Sequence, residues 1–253
     1  MKALITGATS GIGLEFAKIL AAQGYDLFLI ASSKQMPKDV DLSSVRVDYL
    51  SIDLSAPGSA KKVQQAVKNA DLSIDILINN AGFGDFALFK DADIDKLTSM
   101  MHLNMTTLTE LTHLFLPHML AQRSGRILNV ASTASFIPGP YMSVYYATKH
   151  YVLAFSEAIA EELSQSGVTV TALCPGPTRS NFGDTSHANK SPLFKGRDLP
   201  SSADVALFGY RSMMNGKRVA VHGFYNRLTV MMSRFVPRSF VTRYVAKTSK
   251  PKS

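Results

Sequence analysis

Short apolar runs rich in β-branched residues alternate along the chain with longer stretches whose apolar positions recur at helical spacing, and the alternation continues to about residue 222. The runs predict strands over Ala3–Thr6, Asp26–Ala31, Arg46–Ser51, Ile74–Asn79, Arg126–Ala131, Thr169–Cys174 and Arg218–His222. The periodic stretches predict helices over 11–23, 58–69, 93–121, 143–165 and 202–214. Parallel neighbours need crossover connections of a dozen or more residues, so this alternation implies a single parallel seven-stranded sheet with helices on both faces. The expectation is a doubly wound α/β domain over residues 1–223. One long segment, 183–201, lacks a clear period and reads as either a functional lid or a disordered loop.

Beyond the domain, residues 224–253 form a tail. Leu228, Met231, Met232 and Phe235 make a helical stripe, which Pro237 breaks and which resumes at Phe240, Val241, Tyr244 and Val245. Arg227, Arg234, Arg238, Arg243 and Lys247 give it a basic side. Such helices dock on the body, on a partner subunit, or on an anionic membrane surface.

Composition narrows the class. With 46% apolar and 18% charged residues the chain is neither disordered, collagenous nor coiled coil. Its single cysteine, Cys174, has no partner for a disulfide within the chain, which fits a reducing compartment. No apolar run approaches the roughly 18–20 residues of a membrane-spanning helix. The start enters a strand and a Gly-rich turn too early for a signal peptide, so a cytoplasmic protein is expected, with the tail as a point of peripheral membrane contact. The net charge of +8 is uneven: residues 1–204 carry 17 Lys/Arg against 19 Asp/Glu, whereas 205–253 carry 10 Lys/Arg and no acidic residue. A neutral body with a basic tail argues against nucleic acid as the partner.

Candidate chemistry lies at strand ends. After the first strand, Gly7, Thr9, Ser10, Gly11, Ile12 and Gly13 form a turn that opens a helix, where close backbone approach and the helix N-terminus suit a pyrophosphate. Roughly 20 residues on, an NAD site would place Asp or Glu against the ribose hydroxyls. Here Ser32, Ser33 and Lys34 follow the second strand instead, two hydroxyls and an ammonium that accept a 2′-phosphate, which favours NADP(H) over NAD(H). Tyr145 and Lys149 share a face of a helical segment, so an ammonium stands near a phenol and favours its ionised form. Ser132 follows the fifth strand at the carboxyl edge, where its hydroxyl either holds a substrate carbonyl oxygen or caps the next turn. No Gly-x-Ser-x-Gly elbow is present, and the five-residue spacing of His113 and His118 does not make a helical metal pair. No metal is expected.

With these motifs in order, from Thr6-Gly7-Ala8-Thr9-Ser10-Gly11-Ile12-Gly13 through Asp53-Leu54, Asn79-Asn80-Ala81-Gly82, Asn104, Ser132 and Tyr145-Tyr146-Ala147-Thr148-Lys149 to Pro175-Gly176-Pro177-Thr178, residues 1–222 resemble the short-chain dehydrogenase/reductase family, of the NADP-preferring carbonyl reductase type. The resemblance implies a Rossmann fold and a homodimer or homotetramer built partly on the helices holding Asn104 and Tyr145. It implies that Tyr145 is the general acid in reduction, that Ser132 hydrogen-bonds the carbonyl oxygen, and that Lys149 lowers the pKa of Tyr145 while binding the nicotinamide ribose. Asn104 would support a water chain from Lys149. Pro175, Gly176 and Thr178 would pass the nicotinamide, with Thr178 at its carboxamide. Asp53, with Leu54, resembles the family's adenine contact, although Asp-Leu-Ser before a helix is also an N-cap signal. Asn79 and Asn80, followed by Ala81 and Gly82, either bind cofactor ribose or tie strand ends together. Many NADP-preferring relatives have Arg where Ser32 or Ser33 stands, a departure that bears on the cofactor. Phe83, Phe86, Phe89, Phe136, Ile137, Pro138, Tyr141, Met142, Phe182, Leu193 and Phe194 lie near the expected catalytic edge, either facing the cleft or packing on the body. If they face it, the substrate is a hydrophobic ketone or aldehyde, reduced to its alcohol. The alternative is a binding protein that senses NADP(H), or associates with membranes, without turnover.

Overall fold

The computed structural model describes residues 1–37, 41–180, 182, 186 and 199–250. Of the 183–201 segment only Ser186 and 199–201 are among these. The lid or loop reading, and the cleft position expected for Leu193 and Phe194, therefore lie outside the described residues.

Seven parallel strands form one sheet: β1 (Lys2–Thr6), β2 (Asp26–Ala31), β3 (Val47–Ser51), β4 (Ile76–Asn79), β5 (Gly125–Val130), β6 (Val168–Cys174) and β7 (Val219–Val221), in the spatial order β3-β2-β1-β4-β5-β6-β7. Every strand is within two residues of its expected bounds. The runs are apolar on both sides because both faces are covered. Ile5, Leu29, Ile78 and Leu128 pack on one face against α1 (Gly11–Ala22) and α6 (Ser202–Met214). Leu4, Ile30, Leu77 and Ile127 pack on the other against α2 (Ser59–Asn69), α4 (Leu108–Ala121) and α5 (Ser143–Glu162).

The single helix expected over 93–121 is corrected to three pieces. α3 (Ile94–Met101), capped by Asp93 Oδ1, which accepts from Asp95 N at 2.9 Å, runs into a wider π-type turn over His102–Thr107 before α4 begins. Hydrophobic period does not register one extra residue per turn, and such bulges concentrate at functional sites. The first tail helix begins at Phe224, where Gly223, at φ +87°, turns the chain after β7. The tail comprises α7 (Phe224–Met232) and, past Pro237, α8 (Arg238–Ser249). Among the described residues no helix is long and apolar enough to cross a membrane.

Candidate active site

The strand order reverses between β1 and β4, and ligands of such sheets bind beyond the carboxyl ends at that point. A cleft of about 610 Å³ opens there. It reaches from Asp53 and Leu54 beyond β3 to Pro175 and Thr178 beyond β6, a span of about 24 Å at about 4.8 Å between neighbouring strands.

At its centre lies the Gly-rich turn. Gly7, with φ +66°, makes the bend that few side chains tolerate. Gly13 serves packing, not lining: a Cβ there would stand 2.2 Å from Gly7 O and 2.4 Å from Asn80 Nδ2. Asn80 holds the turn to β4 by donating through Nδ2 to Thr6 O at 2.9 Å and Gly7 O at 3.1 Å, while lining the cleft. The hydroxyl of Thr6 accepts from Asn80 N at 3.0 Å and Ala81 N at 2.9 Å. Motif spacing does not mark Thr6 for this role, although a hydroxyl at a strand end is its signal. Thr9, Ser10, Gly11 and Ile12 line the cleft, and among the described residues no side chain caps the first turn of α1. The backbone donors there suit an anion, so the cradle fits a pyrophosphate.

On one side of the turn, Ser32, Asp53 and Leu54 line the cleft. Leu54 is pinned through its carbonyl, which accepts from Thr107 Oγ1 at 2.7 Å and Ser59 Oγ at 3.1 Å. Asp53 is not an N-cap. The cap position of α2 is Gly58, and Asp53 Oδ1 accepts from Ser55 N at 2.8 Å and Ser55 Oγ at 2.7 Å. Ser33 and Lys34 are exposed and do not line the cleft, and the Ser33 hydroxyl lies 3.0 Å from Tyr49 Oη. Of the two readings open for Asn79, its contacts match the strand tie: buried, it donates to Asn129 Oδ1 at 2.9 Å and Thr112 Oγ1 at 3.1 Å.

On the other side, Ser132, Tyr145 and Lys149 meet in the cleft, with Ala81, Gly82, Pro175, Gly176 and Thr178. Ser132 follows β5 and accepts from Ala134 N at 3.1 Å, so it caps the short turn Thr133–Phe136 and faces the cleft as well. Tyr145 and Lys149 project one turn apart from α5. Thr178 Oγ1 donates to Gly176 O at 2.9 Å.

In the cofactor-free cleft, burial and not Lys149 sets the direction of the Tyr145 pKa. Burial raises the phenol above its ordinary value, and the hydrogen bond with Ser132 offsets this only in part. Lys149 instead donates to Val130 O at 2.7 Å, with its Nζ 5.8 Å from the Tyr145 ring centroid. Burial pulls the ammonium down to about 8. Without cofactor, Tyr145 is therefore a protonated, desolvated phenol.

Asn104, placed by the π-type turn, does not line the cleft. Its Nδ2 donates to Phe83 O at 3.0 Å and Thr148 Oγ1 at 3.1 Å. A Cβ on Gly82 would lie 2.9 Å from Asn104 Oδ1 and 3.5 Å from Lys149 Nζ, so the bare glycine keeps the space between them open.

Phe83, Met142 and Phe182 form the apolar wall, with the Phe182 ring 5.3 Å from that of Tyr145. Phe86 is buried and stacked on Tyr141 at 5.6 Å, and Phe136 packs on the body. Phe89, 69% exposed, is absent from this wall. Among the described residues no cluster of metal-ligating side chains is present.

A doubly wound sheet with an anion cradle at its switch point, and a phenol, hydroxyl and ammonium converging beside it, defines a dinucleotide-dependent oxidoreductase. The family model described as short chain dehydrogenase matches residues 1–191, so the chain belongs to the short-chain dehydrogenase/reductase family and is an NAD(P)-dependent enzyme of that family. It is 35% identical over 178 residues to the D-beta-hydroxybutyrate dehydrogenase of Cupriavidus necator, covering 69% of each chain. A short-chain dehydrogenase from Sphingobium yanoikuyae, solved in complex with NADPH, superposes with a TM-score of 0.81 at 29% identity, covering 92% of this chain and 93% of that one. The bulky-bulky ketone specific alcohol dehydrogenase from Comamonas testosteroni does so at 0.76 and 27%, covering 92% of both.

Proposed function

We propose that the protein is an NADPH-preferring reductase of hydrophobic ketones or aldehydes. The observation that carries this reading is the buried, protonated Tyr145 phenol in a cleft shared with Ser132 and Lys149 and walled by Phe83, Met142 and Phe182. When bound, the nicotinamide supplies the hydride. The Ser132 hydroxyl steadies the carbonyl oxygen, and Tyr145 gives that oxygen its proton, so carbonyl, hydride and proton sum to the alcohol. Lys149 binds the nicotinamide ribose and draws the negative charge left on Tyr145. The space held open by Gly82 admits a water between Lys149 and Asn104, the route by which Tyr145 regains a proton. Thr178 takes the carboxamide, and Asp53 the adenine.

NADPH is favoured because the three positions directly after β2, Ser32, Ser33 and Lys34, hold no carboxylate. Ser32 lines the cleft there, and Ser33 and Lys34 stand next to it in open solvent. The similar proteins solved with NADPH and named for bulky ketones support the same reading. The cytoplasm is the proposed site of action. The stacked Tyr151 and Phe155, 5.9 Å apart, with Tyr151 reaching Thr109 of α4 at 2.8 Å, offer an outer face of α4 and α5 for a homodimer or homotetramer.

The test is NADPH and NADH oxidation over a panel of hydrophobic ketones and aldehydes. Turnover with NADPH is expected to fall by at least about a thousandfold in Tyr145→Phe. Turnover that survives the substitution overturns the proton-donor role, and tight NADPH binding without turnover on any carbonyl favours a sensor. In Ser32→Asp the preference is expected to move towards NADH by at least about tenfold.

A further inference from the structure

The first tail helix, α7, is turned inside out. At about 100° per residue, Phe224, Tyr225, Leu228, Met231 and Met232 of α7 fall within an arc of about 120°. All five are exposed, Tyr225 by 82%, and Phe235 just beyond the helix by 77%. The side diametrically opposite holds Val230 and Asn226, and this is the side that docks. Val230 packs in the cluster of Ala131 and Cys174, and Asn226 stands against Gly176, where a Cβ would lie 2.5 Å from its Nδ2. α8 is mixed, with Phe240 and Tyr244 of its apolar stripe outward and Val245 inward. Val245 and Ser249 are buried, whereas Phe240, Arg243, Tyr244 and Lys247 share the exposed opposite side.

Ordinary amphipathic helices present their apolar stripe to the core. In α7 it faces outward, in a segment, residues 205–253, with 10 Lys/Arg and no acidic residue. A second copy of the same face would set cation against cation. A phosphate backbone would match the cations and leave the apolar arc in water. A surface with anionic headgroups above acyl chains satisfies both. We propose that α7 and α8 dock the protein on anionic lipid bilayers, the apolar arc of α7 entering the interface. α7 rests on the loop at Gly176 and on the turn after Ser132, so docking would bring the cleft close to the bilayer surface.

The experiment is co-sedimentation of the full chain with vesicles of equimolar phosphatidylglycerol and phosphatidylcholine, with phosphatidylcholine vesicles and duplex DNA run in parallel. Binding to the anionic vesicles is expected, at least about tenfold weaker on phosphatidylcholine alone and weakened by salt. Leu228→Gln/Met231→Gln, and separately Arg243→Glu/Lys247→Glu, change exposed side chains only. Each is expected to lower vesicle binding by at least about tenfold while NADPH binding is kept, which certifies the fold. Tyr145→Phe is expected to bind vesicles as the parent does, so failure of the reductase reading leaves this one standing. No binding to anionic vesicles overturns it, as do full binding by both double variants and binding to DNA in preference to lipid.

Discussion

Lys149 makes a stability prediction whose sign is opposite to that of most buried residues. It is 5% exposed, and burial lowers its pKa from 10.5 to about 8. The unfolded chain keeps the ordinary value. At neutral pH both states are protonated, so the folded state carries the whole penalty of the buried charge. At about 1.4 kcal/mol for each pH unit between the two values, that is about 3 kcal/mol. Lys149→Met keeps the side-chain length and removes the charge, together with the bond to Val130 O, itself worth about 1 kcal/mol. The cofactor-free variant should therefore be more stable at neutrality by about 2 kcal/mol, or about 4 to 8 °C in Tm for a chain of this size. Between pH 8 and 10.5 the folded parent loses this proton while its unfolded chain still holds it. The unfolded state then binds more protons, so the parent gains stability as pH rises and the variant's advantage disappears above that window. Urea unfolding of both proteins from neutral pH to about pH 10 measures the gap, and NADPH turnover, expected to be lost in Lys149→Met, is read alongside. A gap that ignores pH, or a variant less stable at neutrality, would refute the reasoning.

Asn79→Ala removes the donors to Asn129 and Thr112 and should cost about 2 to 4 kcal/mol in urea unfolding with NADPH affinity unchanged. A tenfold loss of affinity at constant stability would return Asn79 to the ribose. Gly13→Ala drives a Cβ to 2.2 Å from Gly7 O, and should lower stability by at least about 1 to 3 kcal/mol and weaken NADPH binding as the cradle shifts. Retention of both would show that α1 slides freely against the turn. Burial pushes the Cys174 thiol up to about 12 and keeps it from solvent, so a thiol reagent at neutral pH should modify it only at the rate of unfolding.

Residue type and spacing along the chain determined the sheet. Apolar runs shielded on both faces read the same in one dimension as in three, which is why every strand was legible and the order of motifs pointed to the family. The spacing of Tyr145 and Lys149 likewise determined that they share a helix face. Tertiary structure decided what those groups do to one another. Only folding buried Tyr145 and aimed Lys149 at Val130 O, and in the cofactor-free cleft desolvation is the largest influence on the phenol. Hydrogen-bond competition decided the asparagines: Asn79 turned inward to Asn129, while Asn80 tied Thr6 and Gly7 together. The π-type turn at Asn104 was invisible because one added residue per turn barely disturbs a hydrophobic period. The outward stripe of α7 was legible as a stripe, but its direction was not. Periodicity reports that a helix has two sides, and only packing decides which of them meets the body.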